Sequence, residues 1–360
     1  MSAAGDGEEA PPPRPLVERD AALWAIRFFI GREPTDEAEV QFHRGHPSLE
    51  SVRRAFSLTG EFQAYYESLQ PASAAYAAPL FLLEPPPAGI PARFAPPSLN
   101  FPVSQLCTAA QLRGPAFASW CARLGLPPQE HRKIWEFCYV AAVADLQGML
   151  QPGVKALGFG VGQEPLPALF ARHGLQVLAT DAPAELIAGQ GWDSTGQHAQ
   201  GLSGLERPGI VENAAFHRQV RFAPVDMNAI PAGLTGFDLC WSSCAFEHLG
   251  SLEHGLRFVE ASLATLRPGG LAIHTTEFNL SSNEDTFEAA NLCLYRKRDV
   301  EALMARLVAA GHAPLPLNFH PGAEKLDEHV DLPPYALPHL KLKVGRYVTT
   351  SIGLAIRKGG

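Results

Sequence analysis

A doubly wound α/β domain is the fold that three features of this sequence predict. The first is the stretch from Val154 to Asp181, where an apolar run meets a glycine-rich turn, a helical period, a second apolar run and an acid. The second is the repetition of that rhythm. Val220 to Pro224, Phe237 to Trp241 and LAIHTTEFN after Arg267-Pro268-Gly269-Gly270 read as strands, with helical patterns between them. The third is a late run, Tyr347 to Arg357, with apolar residues at alternate positions. Strands alternating with helices imply a parallel sheet covered on both faces, with sites at the carboxyl ends of its strands. A small all-helical module precedes it.

Taken in order, residues 1–15 are acidic and Pro-rich and read as a disordered tail. Residues 16–70 read as the helical module. Leu23, Ile26, Phe29 and Ile30 share one face; Thr35-Asp36-Glu37 and Ser48-x-x-Ser51 are helix starts, and Thr59-Gly60-Glu61-Phe62 begins a fourth helix. Residues 71–115, with Pro85-Pro86-Pro87 and Pro96-Pro97, read as a linker laid over a surface. The α/β domain is expected over 116–360. It opens with a helix from Phe117 and a long one from Gln129 to Leu150, whose inward positions are Ile134, Phe137, Cys138, Val140, Ala141 and Leu146. After Asp181 come a short helix (Ala182 to Ala188), a polar Gly-rich loop (191–205), helices at Leu252–Leu266 and Lys297–Ala310, a strand at Ala313–Phe319 and an irregular insertion, DEHVDLPPYALPHLKLK.

Composition narrows the function. Hydrophobic content of 46% and charged content of 18% are those of a globular domain, and a net charge of −8 argues against binding a nucleic-acid backbone. The six cysteines form no C-x-x-C pair and read as reduced, buried thiols. No apolar run approaches a membrane span, and the acidic start is unlike a signal peptide, so the expected location is cytoplasmic.

The Gly-rich turn carries the chemistry. Gly158-Phe159-Gly160-Val161-Gly162 lets backbone N–H groups approach a ligand, Pro165 suits a first helical turn, and Asp181 is placed to accept from both hydroxyls of a ribose. Dinucleotides and S-adenosylmethionine both use such a unit. A dinucleotide fingerprint is G-x-G-x-x-G, whereas this chain has G-x-G-x-G, and Glu164 would repel a pyrophosphate. A sulfonium cofactor meets no such objection.

With G-F-G-V-G, Asp181, V-D-M-N, F-D-L-C-W-S-S-C-A-F-E-H-L and L-R-P-G-G in place, the chain from about Gln129 onward resembles the class I S-adenosylmethionine-dependent methyltransferases. The resemblance implies a Rossmann-like seven-stranded sheet with an antiparallel final pair, and a helix upstream of the first strand that covers the site. It implies that Gly158, Gly160 and Gly162 line the methionine and ribose side. Asp181 would hold the ribose, Asp226 the adenine amino group, and Met227 the ring, while Ser242 and Ser243 flank the methionyl end. The chain lacks N-P-P-Y or D-P-P-Y after the fourth strand, which argues against methylation of adenine in DNA; Asp331-Leu332-Pro333-Pro334-Tyr335 has an extra residue and the wrong place. The helical module, GREPTDEAEVQFHRG followed by SLESVRRAFSLTGEF, resembles units that bacterial proteins attach to other domains, where docking, oligomerisation and passive packing are all open roles.

On the acceptor side, His248 follows the fourth strand and Glu277 ends the fifth, and both are candidate general bases; Asn279 should face the same cleft. His274 reads as a core histidine. Gln197 and His198 fall in the long loop as lid candidates. His320, Asp327, His329, Asp331 and His339 crowd the insertion without a metal-ligand spacing, so no metal is assigned. The expected acceptor is a hydroxyl on a small molecule or glycan. A nicotinamide oxidoreductase and a cofactor-binding scaffold are the competing classes.

Overall fold

The computed structural model describes residues 17–62, 65, 74–183 and 201–360. The chain divides into two compact units, Met1–Ser73 and Ala74–Gly360. The expected tail over 1–15, the helix over 182–188 and the loop residues Gln197 and His198 fall wholly or largely outside the described residues.

In the first unit, α1 (Arg19–Ile30), α2 (Glu37–Arg44) and α3 (Leu49–Ser57) pack around Ile26, Ile30, Val40, Val52 and Phe56. The helix starts are where the sequence puts them. Asp36 and Ser48 accept from the amides of Glu39 and Ser51, satisfying donors that a first turn leaves without partners.

The second unit is the doubly wound domain. Its strands are β1 (Ser104–Leu106), β2 (Lys155–Phe159), β3 (Gln176–Asp181), β4 (Val220–Pro224), β5 (Phe237–Ser243) and β6 (Leu266–Asn279). A hairpin, β7 (Glu288–Ala289) and β8 (Leu292–Cys293), stands apart, as does a two-residue antiparallel pair of Ala74–Ala75 with His329–Val330; β9 (Ala313–Pro314), β10 (Leu317–Asn318), β11 (Leu342–Val344) and β12 (Tyr347–Arg357) lie in the main sheet. The main sheet runs β10-β1-β12-β6-β5-β2-β3-β4, with β9 and β11 also pairing to β12. From β4 to β6 the pairing is parallel; β12 runs antiparallel to β6, with Ser351 opposite Glu277. Helices α4 (Ala109–Arg113), α5 (Pro115–Arg123), α6 (Arg132–Leu146), α7 (Leu166–Arg172) and α8 (Asn213–Gln219) precede α9 (Leu252–Ala264) and α10 (Lys297–Ala309). One buried cluster gathers Trp135, Tyr139, Leu169, Phe170 and Trp241; a second gathers Phe159, Phe258, Tyr295, Leu303 and Ile352.

Two expectations need correction. The stretch read as linker belongs to the larger unit from Ala74 onward, and it inserts β1 between β12 and β10. Leu106 pairs with Ile352 and Ser104 with Leu317, so the sheet exceeds seven strands. A three-residue strand is too short to display a period, and the prolines around it mask the signal. On α6, the inward face is carried by Trp135, Tyr139, Cys138 and the run Val140–Ala144, while Leu146 is exposed. Aromatic residues there reach across to the sheet: Gly353 of β12 lacks the side chain that would occupy the ring of Tyr139.

If β1 is a sheet element, Leu106→Ala should cost about 2–5 kcal/mol, the usual range for truncating a fully buried leucine. Urea denaturation checks this. A change within about 0.5 kcal/mol, as at an ordinary surface position, would return the segment to the status of a linker.

Candidate functional site

The carboxyl ends of β2, β3 and β5 converge on the Gly-rich turn. Gly160 has φ of 57° and Gly162 has φ of 50°, a left-handed backbone that glycine adopts without a steric cost. A Cβ on Gly160 would lie 2.9 Å from the Cβ of Ala245 and 3.3 Å from the Sδ of Met227. The turn therefore closes against the segments that follow β4 and β5, and Gly160, Gly162, Asp181 and Met227 lie together around it. The Gly162 amide donates to Asp181 Oδ2 at 3.2 Å and the Ala182 amide to Oδ1 at 2.8 Å, which aims the buried carboxylate at the turn. Asp226 is half-buried and accepts from the Asn228 amide at 2.8 Å.

Gly158 has a different role from the one expected. A Cβ there would collide with the Trp241 ring and with Val161, so this glycine is a packing requirement beneath the turn. Ser242 likewise turns inward: its Oγ lies 2.8 Å from His274 Nδ1, and His274 Nε2 lies 3.0 Å from Ser262 Oγ. Burial holds His274 down at about 3, so the ring is the satisfied core histidine that the sequence suggests. Ser243, one residue on, faces the other side of the sheet, where its carbonyl accepts from Lys133 Nζ at 3.1 Å. Its Oγ is buried with no hydrogen-bond partner among the described residues.

Glu164 revises the electrostatic part of the sequence reading. It is buried at the base of the turn and accepts from Trp241 Nε1 at 2.5 Å. Burial raises its carboxyl to about 8, with the Trp241 hydrogen bond opposing, so at neutral pH it carries little charge to repel a pyrophosphate. The spacing of the glycines is what remains against a dinucleotide.

Beside the turn lies a buried polar cluster that sequence reasoning found only in part. Glu277 ion-pairs with Arg132 and accepts from Thr349 Oγ1 at 2.8 Å. Burial lifts its carboxyl above the usual range, and Arg132 offsets this only partly. Glu136 is fully buried and takes hydrogen bonds from Ser351, Thr275, Lys133 and the Cys244 thiol. Burial by itself would raise it; Lys133 and Arg132 bring it below the ordinary value. Cys244 has φ of 51°, alone in that region among the described non-glycine residues. A left-handed cysteine at a strand end has no local sequence signal.

His248 sits on a single 3₁₀ turn (Phe246–His248), half-buried, with Nδ1 2.6 Å from the Asn291 carbonyl between β7 and β8. A carbonyl can only accept, so Nδ1 carries the proton and the basic nitrogen of the neutral ring is Nε2. In the insertion, His339 Nδ1 lies 2.6 Å from Asp331 and its ring 4.4 Å from that of His131; the Arg132 amide donates to the His339 carbonyl. Burial lowers both imidazoles. Asn279 is spent on the loop that follows it, accepting from the Ser281 amide.

No family model and no curated protein matches this chain. Among solved structures it is similar to an S-adenosylmethionine-dependent methyltransferase from Clostridium acetobutylicum (14% identity, covering 61% of this chain and 89% of that one, TM-score 0.35). It is also similar to the 1,6-didemethyltoxoflavin-N1-methyltransferase of Burkholderia thailandensis (17%, 70% and 79%, TM-score 0.34) and to the [4+2]-cyclase SpnF (17%, 61% and 82%, TM-score 0.36). Similarity this low fixes neither activity nor ligand.

Glu164 gives a pH-dependent stability. Its folded-state pKa lies above the unfolded one, so the fold binds the proton more tightly, and stability falls as pH rises from the ordinary glutamate range to about 8. Glu164→Gln keeps an acceptor for Trp241 and removes that loss. Its melting temperature should therefore exceed that of the wild type at pH 9 and converge with it below pH 5. Parallel melting curves at all pH values would show that Glu164 is not held neutral.

Proposed function

We propose that this chain is an S-adenosylmethionine-dependent methyltransferase whose acceptor is a hydroxyl of a small molecule or glycan. The observation that carries the reading is the cradle at Gly160. It is a left-handed glycine whose missing side chain would fill the space between Met227 and Ala245, with the Asp181 carboxylate turned toward the same loop. Gly160 and Gly162 would take the methionine and ribose side, Asp181 the ribose hydroxyls, Asp226 and Met227 the adenine, and Ser243 the methionyl end. Ser242 and Gly158 support this surface from behind.

Bound there, S-adenosylmethionine supplies an electrophilic methyl group on a sulfonium centre. The protein's part is to hold the acceptor and take its proton as the oxygen–methyl bond forms and the carbon–sulfur bond breaks. His248 is the base in this reading. The Asn291 carbonyl accepts from Nδ1, which makes Nε2 the basic nitrogen of the neutral ring and the atom that would take the hydroxyl proton. Glu277, paired with Arg132 and Thr349, is better suited to ordering the acceptor pocket.

Turnover to S-adenosylhomocysteine, measured against a library of hydroxylated metabolites and glycans, tests the reading. With an acceptor in hand, His248→Ala should lower the rate by about 10²–10⁴, with cofactor affinity little changed. A variant that keeps nearly full turnover would leave His248 as a turn residue only.

A further inference from the structure

The buried cluster at the ends of β5 and β6 contains more than the proposed transfer reaction uses. Cys244, Glu247 and Glu277 each bring a ligand atom within 4.8 Å of the other two. Glu247 has no exposed surface; its Oε2 accepts from Thr276 at 3.0 Å, while Oε1 has no hydrogen-bond partner among the described residues. A buried carboxylate oxygen without a donor is destabilising, and one aimed at two other ligand atoms is placed to take a partner from a bound ion. The neighbouring Ser243 Oγ is in the same state.

Charge points to the kind of ligand. Glu136, Glu247 and Glu277 face Arg132 and Lys133 across this cluster, and the Cys244 thiol lies 3.2 Å from Glu136 and 3.8 Å from Arg132. With the thiol protonated, one negative charge is uncompensated. With it deprotonated, two are, and a divalent cation cancels both. The carboxylates are already oriented: Thr276 holds Glu247 and Thr349 holds Glu277, as the outer partners of a metal site do. The left-handed backbone at Cys244 is a strained conformation that brings its sulfur to the same point as the two carboxylates.

We propose that Cys244, Glu247 and Glu277 form a binding site for one thiophilic divalent cation of the Zn²⁺ class. On binding, the Cys244 proton leaves to solvent, the thiolate and one oxygen of each carboxylate become ligands, and Glu247 Oε1 gains its partner. The site is defined by the protein alone and stands independently of the cofactor reading.

The full-length chain, stripped with a chelator and titrated with Co²⁺, tests this. The expected result is one equivalent of Co²⁺ per chain with thiolate-to-cobalt charge-transfer absorption in the near ultraviolet. Cys244→Ser should abolish that band, Cys293→Ser should retain it, and Glu247→Gln should weaken Co²⁺ binding at least tenfold. If Cys244→Ser fails to fold, the Glu247→Gln titration still decides. No band in the wild type, a band that survives Cys244→Ser, or unchanged affinity in Glu247→Gln would overturn the proposal. Calorimetry with S-adenosylmethionine on the same samples separates the two readings, because either ligand can bind without the other.

Discussion

The buried ion cluster between Arg132, Glu136 and Glu277 is the constraint on which the upper face of the sheet depends. Arg132 and Glu136 lie one turn apart at the start of α6; Glu277 ends β6, and Ser351 opposite it on β12 donates to Glu136. One set of charges thus ties the helix, the last parallel strand and the antiparallel strand beside it. Removing one partner of a buried pair leaves an uncompensated charge, which costs about 3–5 kcal/mol, far more than the pair itself contributes. The geometry of the cleft therefore depends on all of these partners being present. The Arg132 amide extends the tie to the insertion through the His339 carbonyl.

The Gly-rich turn depends on a second contact, beneath it. Trp241 occupies the space above Gly158 and donates to Glu164, so the turn rests on an aromatic ring and a buried carboxyl. That support keeps Gly160 against Met227 and Ala245. The ligand side of the turn and its packing side consequently use different glycines for different physical reasons.

Much of this was legible in the sequence because it is local. The strand–turn–helix–strand unit ending at Asp181 spans fewer than thirty residues, and β12 matches its predicted run residue for residue. What was illegible is non-local or too short. β1 has three residues and no period. Ser242 and Ser243 are neighbours with the same chemistry, and only the register of β5 decides which one faces His274. The cluster joins positions 136, 244, 247, 277 and 351, whose proximity no spacing rule encodes, and the left-handed φ of Cys244 is a property of the chain path rather than of the residue. The electrostatic argument from Glu164 failed for a related reason: burial, invisible in the sequence, removes the charge on which it relied.

The central claim is that the turn from Gly158 to Gly162, with Asp181, binds S-adenosylmethionine. Equilibrium calorimetry of the full-length chain with S-adenosylmethionine and with NAD, on the wild type and on Asp181→Ala, tests it most directly. The account predicts binding of S-adenosylmethionine and none of NAD, with a loss of about ten- to a hundredfold in Asp181→Ala, since a hydrogen bond to a charged group contributes about 1.5–3 kcal/mol. Binding of NAD in preference, or an affinity for S-adenosylmethionine that Asp181→Ala leaves unchanged, would contradict it.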